Sequence, residues 1–277
     1  MQDTGCRKIR LFSYRRIRYG TNLHGHLERK NGMVKIYKEE NYEKLSEKAA
    51  SIIASVVVLK PDCVLGLATG TSPIGTYRKL IGWYENGLLD FSRVKTANLD
   101  EYRGLPGTHN QSYRYFMNDN LFDHVNIDKT NTNVPNGIAG SVEEECKRYD
   151  KLITDLGGVD LQLLGIGRNG HIGFNEPAED FPKGTHLVDL TESTINANSR
   201  LFERKEDVPH QALTMGIGTV MSARKVLLIA CGADKAQAIR DSFYGPITPH
   251  VPASILQLHP DVTVVCDPAA LSLTPLA

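Results

Sequence analysis

The stretch VDLQLLGIGRNGHIGFNEP, residues 159–177, runs from an apolar segment into a loop crowded with glycine, and two architectures compete for it. Val159–Gly165 has the length and composition of a buried strand. Gly165, Gly167 and Gly170 then spell a literal G-x-G-x-x-G, and Asp189 ends a later strand. A dinucleotide site needs a helix that opens at those glycines and carries the pyrophosphate. Gly173, Pro177, Pro182 and Gly184 break any helix of useful length, so the dinucleotide reading is rejected. What remains is a strand whose carboxyl end opens into a tight loop bearing Asn169, His171 and Glu176. An imidazole near a carboxylate and an amide is a competent proton shuttle. A glycine-rich surface loop with no chemistry is the plain alternative.

On both sides of this stretch, short apolar runs alternate with helical patterns. Val34–Tyr37, Cys63–Ala68, Val94–Leu99, His186–Leu190, Ala212–Gly216, Lys225–Cys231 and Val262–Cys266 read as strands. Helices are expected over Glu39–Leu59, from Pro73 to about Asn86, over Val142–Leu156 and over Asp234–Phe243. The first carries Leu45, Ala49, Ile52, Ile53 and Val56 on one stripe. Strand and helix repeated in this way predict an α/β fold: a doubly wound, largely parallel sheet with helices on both faces, Rossmann-like but without a dinucleotide site. In such sheets ligands bind beyond the carboxyl ends of the strands, so the residues after each strand are the ones to inspect.

Three other strand ends carry chemistry. Thr69-Gly70-Thr71-Ser72 lies between a strand and the helix that Pro73 opens. Small residues at a helix start can cradle a phosphate, although a plain turn fits equally, and no GKS or GKT follows as a Walker loop requires. Asp100-Glu101-Tyr102 follows Val94–Leu99, which places a carboxylate where a base could work; Asp in a capping turn is the structural alternative. Lys235, at a helix start, and Arg200, in the segment 193–202, could each fix a phosphate, or simply be solvated. No His, Cys and Asp cluster has zinc spacing, so no metal is expected.

The totals narrow the class. The 277 residues, 41% hydrophobic and 23% charged, suffice for one large α/β domain. Net charge is zero but uneven: residues 1–32 hold eight Lys or Arg against Asp3 and Glu28, which leaves the rest mildly acidic. An acidic body argues against a nucleic-acid binder. No stretch approaches the roughly 20 apolar residues that span a bilayer. The five cysteines show no CxxC pair, and Cys63, Cys231 and Cys266 sit in apolar runs, as buried thiols in a reducing compartment would. Residues 1–32 read as a basic tail, either disordered or preceding the real start at Met33, with a loose likeness to an organelle presequence. Residues 33–277 read as a single domain.

LATGTSP (67–73), NLDEYRGL (98–105) and GIGRNGHIGFNEP (165–177), in this order and spacing, resemble the glucosamine-6-phosphate deaminases. ALTMGIGTVMSA (212–223) and PASILQLHP (252–260) extend the likeness to nearly the whole chain after the tail. The resemblance implies aldose–ketose isomerisation and deamination of glucosamine 6-phosphate to fructose 6-phosphate and ammonia, in the cytoplasm and without an organic cofactor. It implies that Asp100 moves a proton from C2 to C1, and that His171 opens the sugar ring, oriented by Glu176 with Asn169 as third member. It also implies that Thr69, Gly70, Thr71, Ser72, Arg200 and Lys235 hold the phosphate. Asn169 departs from the Asp common in the regulated branch, which bears on the pH dependence of ring opening. The segment 178–188 carries His186 and Val188 where that branch shows Arg and Lys, and the chain stops soon after Cys266. Both features point to a short, unregulated enzyme, a monomer or small homo-oligomer. Three rivals stay open: a 6-phosphogluconolactonase-like hydrolase on the same fold, a non-enzymatic sugar-phosphate sensor, and an aldolase-type enzyme using Lys235 as a Schiff base.

Overall fold

The apolar runs become the strands of two sheets. The computed structural model describes residues 19–21, 26–29, 34–192, 195–196, 199, 202 and 204–277. Among these, β1 (Tyr19–Thr21), β2 (His26–Arg29), β3 (Val34–Lys38), β4 (Val64–Leu67), β5 (Lys95–Asn98), β7 (Thr132–Asn133), β8 (Leu161–Leu164), β11 (Val226–Ala230) and β12 (Val262–Cys266) form one sheet. Its order is β1-β2-β3-β12-β11-β8-β4-β5-β7. From β3 to β7 every pairing is parallel; β1, β2 and β3 pair antiparallel. Every residue of β4, β8 and β11 is buried, so both faces of the sheet centre are covered, as continuous apolar strands of a parallel sheet require.

Between the strands run helices α1 (Tyr42–Leu59), α2 (Ile74–Glu85), α3 (Tyr113–Asn120), α4 (Val142–Asp155), α5 (Ile217–Met221) and α6 (Ala236–Tyr244). Helix α1 begins where the Asn41 side chain accepts from the Lys44 N–H, an N-cap that satisfies one of the free donors of the first turn. Its buried stripe is Leu45, Ala49, Ala50, Ile53 and Val57, with Ile52 and Val56 half-buried on its flank, so the helix is rotated slightly from the expected face. The predicted helix at Asp234 opens as a 3-10 turn, Ala233–Lys235, before α6.

The main correction concerns His186–Leu190 and Ala212–Gly216, expected as strands of the parallel sheet. They are β9 (His186–Asp189) and β10 (Gln211–Thr214), and with β6 (Asp100–Tyr102) they form a separate antiparallel sheet in the order β6-β10-β9. Asp100 is therefore the first residue of a new strand, opposite Thr214, rather than part of a loop. A small second core, Tyr102, Phe174, Leu190, Ile195, Val208 and Ala212, packs there. No helix of the described residues is long and apolar enough to cross a membrane. The four described cysteines are free, and Cys231 is half-buried instead of buried, its thiol donating to Asp267 Oδ2 at 3.1 Å. Cys6 lies outside the described residues.

Gly66, at the sheet centre, has the Gln162 side chain lying directly over its Cα, where a methyl group would overlap it. Gln162 is fully buried and has nowhere to retreat. Gly66→Ala should therefore cost about 1–3 kcal/mol as overpacking of a close-packed core. Urea unfolding monitored by circular dichroism would check this, and an unchanged midpoint would contradict it.

Candidate active site

The first strand end is held from behind by two tyrosines. After β4 the chain turns through Thr69–Ser72 with Gly70 at φ 89°, a conformation that favours glycine. Tyr77, from α2, donates to the Ala68 carbonyl at 2.6 Å. Tyr42, from α1, accepts from the Gly75 N–H at 2.9 Å and its hydroxyl lies 3.0 Å from the Thr71 carbonyl oxygen. The turn is thus fixed before anything binds. After β11, Gly232 at φ 98° leads into the turn that presents Asp234 and Lys235.

The chain changes sheets at Leu99. Its N–H donates to the Leu67 carbonyl at 3.0 Å, and its carbonyl accepts from the Met215 N–H at 2.7 Å. Leu99 thereby ties β4 to the end of β10, and Asp100 follows at the seam, 6% exposed. Burial, and then the charge of Glu101, push the Asp100 carboxyl up to about 8. Glu101 is committed elsewhere: it accepts from the N–H groups of Tyr102, Tyr113 and Arg114 at 2.8, 2.8 and 2.9 Å. Burial pushes its carboxyl up to about 7 against these three donors, which hold it down. Glu101 organises the start of α3, and it is Asp100 that faces the cavity.

In the 165–177 loop the glycines have identifiable duties. The His171 ring lies against the Gly167 Cα, where any Cβ would overlap it. Gly170 and Gly173 take φ values of 84° and 58°. Asn175 donates through Nδ2 to the carbonyls of Ile172 and Met215, both at 2.9 Å, and the Phe174 N–H donates to Thr214 Oγ1 at 3.1 Å. The loop is thereby lashed to β10, beside Asp100. Within it Glu176 Oε2 accepts from Asn169 Nδ2 at 2.6 Å and lies 3.3 Å from His171 Nδ1. The predicted trio is assembled, and no helix follows the glycines.

These pieces border one cavity of about 740 Å³, open to solvent and lined by Thr69, Gly70, Thr71, Ser72, Asp100, Asn169, His171, Glu176 and Lys235. Arg200, also predicted for the site, lies outside the described residues. Sequence reasoning missed other lining residues, among them Tyr113, Arg168, Phe174 and Asp234. The Tyr113 ring lies 4.8 Å from that of Tyr102 and stacks on Phe174 at 8°. A Ser112 N-cap before YRYF was the available signal for α3. Asp234 Oδ2 accepts from Arg168 Nε at 3.0 Å and lies 3.7 Å from Lys235 Nζ. Partial burial raises the Asp234 carboxyl, but Arg168 and Lys235 outweigh it and hold the group below its ordinary value. Among the described residues no group of three His, Cys, Asp or Glu could hold a metal.

A family model described as glucosamine-6-phosphate isomerases/6-phosphogluconolactonase matches residues 37–265. A glucosamine-6-phosphate deaminase of Lachnoclostridium phytofermentans is 60% identical over 233 residues, covering 84% of this chain and 99% of the relative. One of Clostridium botulinum is 55% identical over 240 residues, covering 87% and 96%. A solved structure of a monomeric glucosamine-6-phosphate deaminase superposes with a TM-score of 0.84 at 48% identity, covering 86% of this chain and 99% of that one. A 6-phosphogluconolactonase from Thermotoga maritima superposes with a TM-score of 0.65 at 17% identity, covering 85% and 99%, a likeness of fold alone.

The buried Asp100 has a measurable consequence for stability. Its folded value, about 8, lies above the ordinary 3.8, so between these values the folded state binds more protons than the unfolded one. Stability attributable to this group therefore falls as pH rises across that window. Asp100→Asn removes the titration. The variant should gain stability relative to the wild type from about pH 4 to about pH 8 and hold that gain above it. Parallel urea titrations at several pH values would show it; a difference independent of pH would mean Asp100 is not the buried acid described.

Proposed function

The chain belongs to the glucosamine-6-phosphate isomerase/6-phosphogluconolactonase family, and we propose that it converts glucosamine 6-phosphate into fructose 6-phosphate and ammonia. The observation that carries this reading is the placing of a buried carboxylate, an imidazole–carboxylate–amide group and a helix-start turn with a lysine around one cavity. Relatives 55–60% identical over most of the chain bear the deaminase name. The volume of about 740 Å³ suits a small ligand, such sites running to roughly 300–1,000 Å³.

The proposed roles follow from position. The phosphate occupies the end formed by Thr69–Ser72 and Lys235, with Arg200 as a further ligand on the strength of the resemblance. His171, held by Glu176 and Asn169, moves the proton that opens the pyranose ring. The aldehyde so formed acidifies the C2 proton, and Asp100 removes it to give an enolamine. Return of that proton to C1 gives a 2-imino sugar, and water releases ammonia with fructose 6-phosphate. A carboxylate displaced toward neutrality is a far stronger base than free Asp, which suits proton removal next to a carbonyl. Binding of the phosphate orients C2 against Asp100, and none of these steps calls for an organic cofactor. A lactone hydrolase would leave Asp100 without a task. The protein is further proposed to act in the cytoplasm as a monomer, in keeping with its monomeric structural neighbour.

Purified protein given glucosamine 6-phosphate should release ammonia, and its absence would end the deaminase reading. In deuterated water, Asp100→Asn should lose at least the roughly 10²–10⁴-fold that general-base catalysis contributes to exchange at C2. Exchange at the wild-type rate, followed by NMR, would place the base elsewhere.

The stretch 178–188 offers His186 and Val188 instead of the cations expected of an activator site, and a ligand shifts an equilibrium only through differential contacts. Saturation with glucosamine 6-phosphate should therefore be hyperbolic and unaltered by N-acetylglucosamine 6-phosphate except for weak competition. A sigmoidal curve that the acetylated sugar straightens would contradict this.

A further inference from the structure

Arg168 is the charged residue of the 165–177 loop that the proposed chemistry leaves without a task. It lines the cavity, yet its side chain is 80% exposed, and Nε donates to Asp234 Oδ2 at 3.0 Å. The same oxygen lies 3.7 Å from Lys235 Nζ, whose side chain is only 22% exposed. One carboxylate thus stands between two cations at the cavity edge. The bridge joins two strand ends, the loop after β8 and the turn after β11. An ion pair this exposed contributes little to the fold, so its weight falls on what enters the cavity.

Charge balance gives it a task. Asp234 and Lys235 alone present no net charge, and a phosphate dianion nearby would meet the carboxylate as much as the ammonium. With Arg168 bound to Asp234, the three groups carry one net positive charge, borne at the cavity by the more enclosed Lys235. We propose that Arg168 sets the charge of the phosphate end by pairing with Asp234, so that the Lys235 charge is not cancelled by that carboxylate when a dianionic substrate enters. Arg168 is then a positioning residue and a determinant of specificity for phosphorylated over neutral sugars. The inference rests on the phosphate end proposed above.

The test compares wild type, Arg168→Ala, Asp234→Asn and the double variant at low salt. Two readouts are taken: the Kd of inorganic phosphate by calorimetry, and KM with kcat for glucosamine 6-phosphate. Arg168→Ala should weaken phosphate and raise KM roughly three- to tenfold, with kcat moving less, as a partly screened charge at this range would produce. Asp234→Asn should leave phosphate binding equal or tighter. The double variant should return to within about twofold of wild type, because the carboxylate that needed neutralising is gone. Raising the salt should shrink every difference. An unchanged Kd in Arg168→Ala, or a double variant as weak as Arg168→Ala alone, would overturn the proposal, the second by showing that Arg168 grips the phosphate itself. A wild type that fails to bind phosphate would overturn it too. The expected phosphate pattern in a protein that releases no ammonia would sustain the charge-setting role and sink only the deaminase reading.

Discussion

The arrangement depends on keeping the Asp100 carboxylate out of water at the line where two sheets meet. A charged carboxylate there is costly to bury, and the cost is compounded by Glu101 next to it. The surroundings can be understood as the means of bearing that cost. Leu99 is hydrogen-bonded into both sheets, so the backbone cannot relax to expose its neighbour. Glu101 is turned away and given three backbone donors, which both satisfies it and nucleates α3. Thr214, opposite Asp100, commits its hydroxyl to the 165–177 loop. Asp100 and the loop that carries His171 are thus positioned by the same short strand, β10.

Much of the frame was legible in the chain because buried parallel strands are continuous apolar runs, and these need no context to recognise. Val262–Cys266 coincides with its predicted bounds, and β4, β8 and β11 fall inside theirs. The small antiparallel sheet was not legible. His186–Asp189 has only half-buried or exposed positions, and Asp100–Tyr102 is three residues long, so neither shows a period that could assign it to one sheet over another. Their pairing is decided by tertiary contacts with β10, which no local pattern encodes. Helix α3 was missed for a related reason: Met117 is its only buried residue, so it shows no apolar stripe.

The candidate site was more legible than the fold around it. Asn169, His171 and Glu176 were grouped because glycines crowd the loop between and around them, and the structure gives a reason for one glycine in particular. Gly167 is a flat surface for the His171 ring, and a side chain there would drive the imidazole away from Glu176. Arg168 and Asp234 were invisible because an ion pair between residues 66 positions apart leaves no trace in spacing. Tyr113 was equally hidden: it meets Thr69 at the cavity wall across a separation that only the folded sheet closes.

The two sheets contribute different parts of the cavity: the 165–177 loop, the Thr69–Ser72 turn and Lys235 follow strands of the parallel sheet, and Asp100 comes from the antiparallel one. The parallel sheet supplies strand ends that carry the Thr69–Ser72 turn and Lys235, and its fold is shared at 17% identity with a 6-phosphogluconolactonase. Such a frame can hold one end of many sugar phosphates and does not choose among reactions. Under the proposed reaction, the choice falls to a base at the other end whose strength suits a carbon acid. An aspartate in water, near its ordinary 3.8, is a weaker base than one whose carboxyl is pushed up to about 8. Asp100 is carried by the second sheet to the seam, where it is almost fully buried yet faces the cavity, and burial there, with the charge of Glu101, raises its basicity. The antiparallel addition therefore does what the parallel frame alone does not: it brings a buried carboxylate with raised basicity to the same cavity as the Thr69–Ser72 turn and Lys235.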